Sequence, residues 1–129
     1  MTRIALIVEP TATPSSVMLT LDMVTIASRY PEAADCRLDL LSMHGGRVAL
    51  SSNVSVEASV LPETLADYAA VILPGFFALD IEHLAMLLRT VWPPVIERLR
   101  ALPAETLVSA SCYGTFVLAE SGLLDGDRK

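Results

Sequence analysis

Residues 106–122, TLVSASCYGTFVLAESG, decide the fold of this chain. They read as a buried apolar strand, a sharp turn that carries Cys112, and a helix that begins at or beside Gly114. Ala110 and Gly114 stand two positions on either side of the cysteine and supply the small side chains that a tight strand-to-helix turn requires. The pattern predicts a nucleophile elbow in which Cys112 has a strained backbone and points into a cleft. The alternative is a small cysteine buried in the core, where free cysteines are often found.

The helix after the elbow bears on the chemistry of the cysteine. A helix N-terminus beside a sulfur favours the thiolate over the thiol. Cys36, the other cysteine, precedes a strand and carries no turn pattern. We therefore expect Cys112 to react faster than Cys36 with a thiol reagent.

Outward from the elbow, apolar runs alternate with helical patterns. Runs typical of buried parallel strands cover residues 3–8, 37–43 and 69–73. Two shorter candidate strands, 47–50 and 54–57, flank a turn and predict a hairpin or an addition to the edge of the sheet. Helical patterns cover residues 13–29, 80–90 and 94–102, with at most a short helix at 65–68. This order predicts an α/β fold, a three-layer α/β/α sandwich with a mostly parallel sheet.

Composition narrows the class of protein. The 129 residues suit one domain, and 53% of them are hydrophobic, which favours a folded chain with a large core. The net charge of −6 argues against direct binding of nucleic acid, and Arg128 and Lys129 form only a short basic end. No run approaches a membrane span or a signal peptide. Two cysteines make no disulfide framework, so we expect a cytoplasmic protein.

Three segments carry a family likeness: residues 3–8 (RIALIV), 70–75 (AVILPG) and 108–126 (VSASCYGTFVLAESGLLDG). With them the chain resembles the ThiJ/PfpI superfamily, which has a flavodoxin-like, class I glutamine amidotransferase-like fold. More narrowly, it resembles the sensor-like domain that precedes the DNA-binding module of AraC-type transcription regulators. The likeness covers residues 1–129 but only the N-terminal two-thirds of such a domain. It implies that the domain is truncated here, and that a further strand and a helix-turn-helix module would follow Lys129.

The resemblance and the chain order together predict a site at the elbow. Gly75 and Phe76 end a strand that should lie near the elbow strand, and ligands of open α/β sheets bind beyond the carboxyl ends of strands. Backbone N–H groups of Gly75, Phe76 and Tyr113 could then form an oxyanion hole. The alternative for Gly75 and Phe76 is a plain strand-ending turn.

Two departures from the family pattern weaken the case for catalysis. ThiJ/PfpI enzymes commonly place an acidic side chain near the cysteine, and the resemblance puts Ser16 at that position. Many PfpI-type peptidases carry histidine directly after the nucleophile, where this chain has Tyr113. Glu9 could reach the crevice, but its place after a strand favours a solvated loop carboxylate. His44 and His83 read as surface residues, and no spacing suggests a metal site or a cofactor loop.

The resemblance favours a non-enzymatic domain of an AraC-type regulator that senses a ligand and dimerises. It implies a small-molecule effector bound by Cys112, Tyr113, Gly75, Phe76 and Ser16, and a homodimer that contacts DNA only through a module outside this chain. The alternative is a cysteine-dependent hydrolase or hydratase of the ThiJ/PfpI type. A third hypothesis, a redox sensor, needs only an exposed and reactive Cys112.

Overall fold

The computed structural model describes residues 1–125, and these residues alternate between strands and helices. The short basic end at Arg128 and Lys129 lies outside the described residues. The strands are β1 (Thr2–Ile7), β2 (Cys36–Ser42), β3 (Gly46–Ala49), β4 (Ser55–Val60), β5 (Ala70–Leu73) and β6 (Leu107–Ala110). The helices are α1 (Pro14–Ala27), α2 (Ile81–Thr90), α3 (Pro93–Arg100) and α4 (Gly114–Glu120).

The described strands form one six-stranded sheet in the order β3-β4-β2-β1-β5-β6. All neighbours run parallel except β3 and β4, which pair as the predicted antiparallel hairpin. The mostly parallel sheet is therefore confirmed. Strand β6 is the outer strand on the elbow side of the described sheet, and Leu107 on it is 72% exposed.

Side chains of β1 alternate between two cores, as the period of a strand requires. Ala5 and Ile7 pack on one face of the sheet with residues of α2, α3 and α4. Leu6 and Val8 pack on the other face with Val17 of α1 and the hairpin. Because both faces are covered by helices, the predicted three-layer sandwich is confirmed.

Prolines and caps set the helix boundaries close to the predicted ones. Thr13 is the N-cap residue of α1 and Pro14 is its first helical residue, although the Thr13 side chain makes no capping bond. The break between α2 and α3 falls at Trp92, which is 1% exposed and stacks on Phe76 with ring centroids 5.2 Å apart. No helix of the described residues is long and apolar enough to cross a membrane.

The short helix considered at residues 65–68 is not formed. Tyr68 donates its amide hydrogen to the carbonyl of Leu65 in a turn, and both side chains are buried. A turn here aims the Tyr68 hydroxyl at Asp39, to which it donates a 2.7 Å hydrogen bond. Arg3 donates to the same carboxylate at 3.1 Å and lies over the Tyr68 ring at 4.5 Å. The result is a polar cluster of Arg3, Asp39 and Tyr68, hydrogen-bonded within itself, toward the amino ends of β1 and β5.

Candidate functional site

The elbow at Cys112 has the predicted geometry. Strand β6 ends at Ala110, α4 begins at Gly114, and Cys112 between them has φ of +52°. This left-handed conformation costs a non-glycine residue about 1–2 kcal/mol. Cys112 is exposed and Cys36 is partly buried, so the core alternative for Cys112 is wrong.

Gly114 holds the elbow against the end of β5. A Cβ atom at position 114 would lie 2.7 Å from the carbonyl oxygens of both Leu73 and Pro74. The amide of Ser111 also donates to the Leu73 carbonyl at 3.1 Å. Only glycine permits this approach, which explains the small residue that the sequence places after the cysteine.

The loop after β5 lies directly under the cysteine. A Cβ atom at Gly75 would lie 2.9 Å from the Cβ and 3.6 Å from the Sγ of Cys112. The Gly75 carbonyl accepts a 2.9 Å bond from the Thr13 amide, which ties the loop to the start of α1. The structure therefore brings Gly75 and Cys112 together, as predicted from the two strand ends.

Ser16 links α1 to the loop after β5 and to the elbow. Its hydroxyl accepts a 3.1 Å bond from the Gly75 amide and lies 3.2 Å from the Ser111 hydroxyl. The Gly75 amide is therefore already engaged within the protein. The predicted oxyanion hole is wrong in this respect, because a donor held by Ser16 is not free to stabilise a substrate oxygen.

A cavity of about 380 Å³ opens at the elbow, and we call it the elbow cavity. It is lined by Thr13, Ser15, Ser16, Leu19, Gly75, Ser111 and Cys112. A second cavity of about 310 Å³ adjoins it along α1 and shares Ser16, Leu19 and Ser111 with it. Among the residues 1–125, no charged side chain lines either cavity. Hydroxyl groups and aliphatic walls of this kind suit a small uncharged molecule.

Two of the five predicted site residues, Phe76 and Tyr113, do not line the elbow cavity. Phe76 is 2% exposed, and its ring packs against Trp92 and, at 5.8 Å, against Tyr113. An isolated bridge between Ala12 and Phe76 fixes the backbone here, and the Phe76 ring belongs to the core on the α2–α4 face. The sequence correctly places Phe76 next to Gly75 at the end of β5. It does not show on which face of the sheet the Phe76 ring lies.

Thr13, Ser15, Leu19 and Ser111 are lining residues that sequence reasoning missed. Ser111 is adjacent to Cys112, so a strand-to-helix elbow could have indicated it. Thr13 and Ser15 belong to the first turn of α1, and their hydroxyls mark a helix start as readily as a binding site. Their role depends on the approach of α1 to β6, which no local pattern shows.

Glu9 corrects a second expectation, because it is buried rather than solvated. It is 4% exposed, and its Oε2 accepts a 2.8 Å bond from the Met43 amide. Burial raises the pKa of the Glu9 carboxyl, and the Met43 hydrogen bond and the nearby His44 only partly offset that rise. The carboxyl end of β1 continues directly into Glu9, and β2 ends beside it.

The two histidines lie away from the elbow cavity. His44 is exposed, as predicted. His83 is half-buried and serves the start of α2: its amide donates to the Asp80 carboxylate at 2.8 Å, and its Nδ1 accepts from the Leu79 amide at 2.9 Å. In the described part of the chain, no group of three or more His, Cys, Asp or Glu residues could hold a metal ion.

Solved structures with the same fold include DJ-1beta of Drosophila melanogaster, at 21% identity and a TM-score of 0.72. A ThiJ/PfpI family protein from Pseudomonas syringae matches at 18% identity and a TM-score of 0.62, over 97% of this chain and 48% of that one. An AraC family transcriptional regulator from Pseudomonas putida matches at 20% identity and a TM-score of 0.54, over 98% of this chain and 93% of that one.

The alignment with DJ-1beta covers 97% of this chain, which spans 62% of the length of that protein. No family model matches the sequence, and no curated protein matches it. The likeness is therefore one of structure. The chain shares its fold with these solved proteins, which include DJ-1beta, a ThiJ/PfpI family protein and an AraC family transcriptional regulator.

Proposed function

We propose that this chain is a ligand-sensing and dimerising domain of an AraC-type transcription regulator, without enzymatic activity of its own. The observation that carries the proposal is the chemistry of the elbow cavity. The resemblance puts Ser16 where ThiJ/PfpI enzymes commonly carry an acid. Its hydroxyl is bound to Gly75, and the lining among residues 1–125 offers no carboxylate or imidazole. A thiol without an adjacent base is poorly equipped for turnover, whereas the same walls can bind.

The ligand would be a small, uncharged metabolite. The hydroxyls of Thr13, Ser15 and Ser111 would hydrogen-bond its polar atoms, and Leu19 would cover its apolar part. Such a ligand regulates only if it binds two arrangements of the protein with different affinity. Because the lining comes from α1, the loop after β5 and the elbow, binding would bias the relative position of these three segments.

Dimerisation is the second part of the proposal. The outer side of α1 exposes Leu19, Met23 and Ile26, each more than half exposed and spaced four and three residues apart. An apolar stripe of this spacing suits contact with another helix. Since α1 also lines the elbow cavity, a ligand there could alter the dimer.

Contact with DNA would be left to a separate helix-turn-helix module. The net charge of −6 disfavours phosphate binding by residues 1–129. In a gel-shift titration at physiological salt, we expect residues 1–129 to leave promoter DNA unshifted and the complete regulator to shift it. Specific binding by residues 1–129 alone would contradict this division of roles.

The ligand test uses a metabolite library and the shift in Tm that a bound ligand produces. Leu19→Trp adds bulk to a side chain that lines both cavities, and Ile26→Trp adds bulk on the same exposed stripe of α1 outside their linings. We expect hits on the unmodified chain and on Ile26→Trp that disappear in Leu19→Trp. Hits that survive in Leu19→Trp would show that the elbow cavity is not the binding site.

A cysteine-dependent hydrolase or hydratase is the second candidate function. The exposed, strained Cys112 favours it, because strained backbone is concentrated at catalytic positions. In that mechanism, Cys112 would attack a carbonyl or isonitrile carbon. Turnover that is lost in Cys112→Ala and retained in Cys36→Ala would establish this activity in place of the regulatory one.

A further inference from the structure

A third cavity, at the carboxyl edge of the sheet, is built around Glu9, and we call it the Glu9 cavity. It has a volume of about 380 Å³ and lies between the ends of β1 and β2 and the junction of α2 with α3. Its lining residues are Glu9, Pro10, Met43, His44, Thr90, Val91 and Pro94. None of them lines the elbow cavity, which is formed by α1 on the opposite face of the sheet.

The Glu9 carboxylate is only half satisfied by the protein. Its Oε2 accepts the Met43 amide at 2.8 Å, whereas its Oε1 accepts no hydrogen bond from any of the residues 1–125. These residues contain no fully buried polar side-chain atom without a partner. The Oε1 oxygen is therefore reached from the open space of the cavity, although Glu9 as a whole is 4% exposed.

The surroundings of this oxygen would compensate a negative charge poorly. Pro10, Met43, Val91 and Pro94 supply apolar walls, and Thr90 uses its hydroxyl to donate to the Met86 carbonyl. His44, at the rim, is the one basic side chain in the lining described here, and it is exposed to solvent. An ionised carboxylate in such a place is costly unless a cation or a strong hydrogen-bond donor faces it.

We infer that the Glu9 cavity binds a small organic cation, a primary ammonium group on a short apolar chain. The ammonium group would donate to Glu9 Oε1 in a charge-assisted hydrogen bond, and the apolar chain would lie against Val91 and Pro94. The Met43 amide holds the carboxylate in place from the other side. This site does not depend on the proposed function, because it shares no residue with the elbow cavity.

The test is a titration of the ¹⁵N-labelled protein with n-butylammonium, followed by NMR at the Met43 amide. Butyrate and butanol serve as matched probes with the opposite charge and with none. Glu9→Gln removes the charge but keeps an oxygen to accept the Met43 amide, and Glu105→Gln is the control at an exposed carboxylate. Val91→Phe is a second variant, which fills the cavity and leaves Glu9 unchanged.

We expect a saturable shift with butylammonium in the unmodified protein and in Glu105→Gln. Affinity should fall about tenfold or more in Glu9→Gln and also in Val91→Phe, and butyrate should produce no saturable shift. Equal affinity in Glu9→Gln, a response to butyrate as strong as that to butylammonium, or no saturable shift with any probe would overturn the inference.

Discussion

Asp39, a half-buried carboxylate on β2, and Glu9, a buried carboxylate just beyond the end of β1, are surrounded by the protein in opposite ways. Asp39 accepts hydrogen bonds from Tyr68 and Arg3 on a single oxygen. Burial alone would raise its pKa, but these two bonds and the charges of Arg3 and Arg37 together lower it. Glu9 has one amide donor, and burial raises its pKa.

The contrast distinguishes an edge of the sheet whose charged groups pair with each other from the edge at which we propose that ligands bind. Toward the amino ends of the strands, Arg3, Asp39 and Tyr68 hydrogen-bond to one another beside a cavity of about 370 Å³, so the charge of Asp39 is paired within the protein. At the carboxyl ends lie the strained Cys112, the elbow cavity, and the Glu9 cavity with its half-satisfied carboxylate. Ligands of open α/β sheets bind at the carboxyl edge, and this general rule supports the two binding proposals made for it.

The largest effect is expected for Gly114→Ala, which tests whether the elbow is packed rigidly on β5. The added Cβ would meet two backbone carbonyl oxygens at 2.7 Å, and backbone cannot rotate away as a side chain can. We expect a loss of about 2–3 kcal/mol or more in the free energy of unfolding, measured with urea. Gly46→Ala is the control, since no atom lies within 4 Å of its Cβ and only its φ of +72° is strained. Equal losses in the two variants would show that the elbow is loosely packed.

Asp39→Asn tests whether the hydrogen-bonded cluster of Arg3, Asp39 and Tyr68 stabilises the fold. It removes the charge that Tyr68 and Arg3 face, and we expect a loss of about 1–2 kcal/mol at neutral pH. Because the folded-state pKa of Asp39 is lowered, its stabilisation is complete above the unfolded-state pKa, near 4, and is lost as the pH falls through the folded value. Urea unfolding at a series of pH values should show the two proteins converging in acid. A difference that does not change with pH would rule out this account of the cluster.

Strain at Cys112 is measured by comparing Cys112→Gly with Cys112→Ala. Both variants remove the thiol, but only glycine adopts φ of +52° without a steric penalty. We expect the glycine variant to be more stable than the alanine variant by about 1 kcal/mol in urea unfolding. An alanine variant of equal or greater stability would mean that the elbow backbone is not strained in solution.

The smallest effect on stability is expected for Glu9→Gln. It is recognised by the direction in which the stability difference changes with pH. Since the folded-state pKa of Glu9 is raised, its contribution favours folding at acid pH and is lost as the pH rises through the folded value. The unmodified chain should therefore lose stability relative to Glu9→Gln as the pH rises from about 4 toward neutrality. The trend is opposite to that of Asp39→Asn. Matching trends in the two variants would remove the distinction between the two edges of the sheet.

Much of the fold could be predicted from local patterns. Apolar runs marked the parallel strands to within a residue or two, and prolines marked the helix boundaries at Pro14 and Pro93. The small residues around Cys112 predicted its positive φ correctly. Residues 65–68 formed a turn because Leu65 and Tyr68 are both buried by tertiary contacts, which outweigh local helical preference.

The candidate site was predictable where the order of strands and helices alone brings residues to the same edge of the sheet. Cys112, Gly75 and Ser16 meet as expected, because two strand ends and a helix start converge there. The Phe76 ring lies in the core instead. Its orientation depends on a backbone bridge to Ala12, a residue far away in the sequence. Glu9 was predicted as a solvated carboxylate because nothing near it in sequence shows that α2 and α3 close over the end of β1.

The most direct test of the central claim measures the fate of the ligand itself. The protein is incubated at stoichiometric concentration with the tightest-binding molecule of the library, and both the molecule and the protein are then examined by mass spectrometry. We predict that the molecule is recovered unchanged, with no adduct on Cys112, although it raises the Tm of the unmodified chain and not that of Leu19→Trp. Consumption of the molecule that stops in Cys112→Ala but continues in Cys36→Ala would contradict the sensing role and establish a cysteine-dependent enzyme.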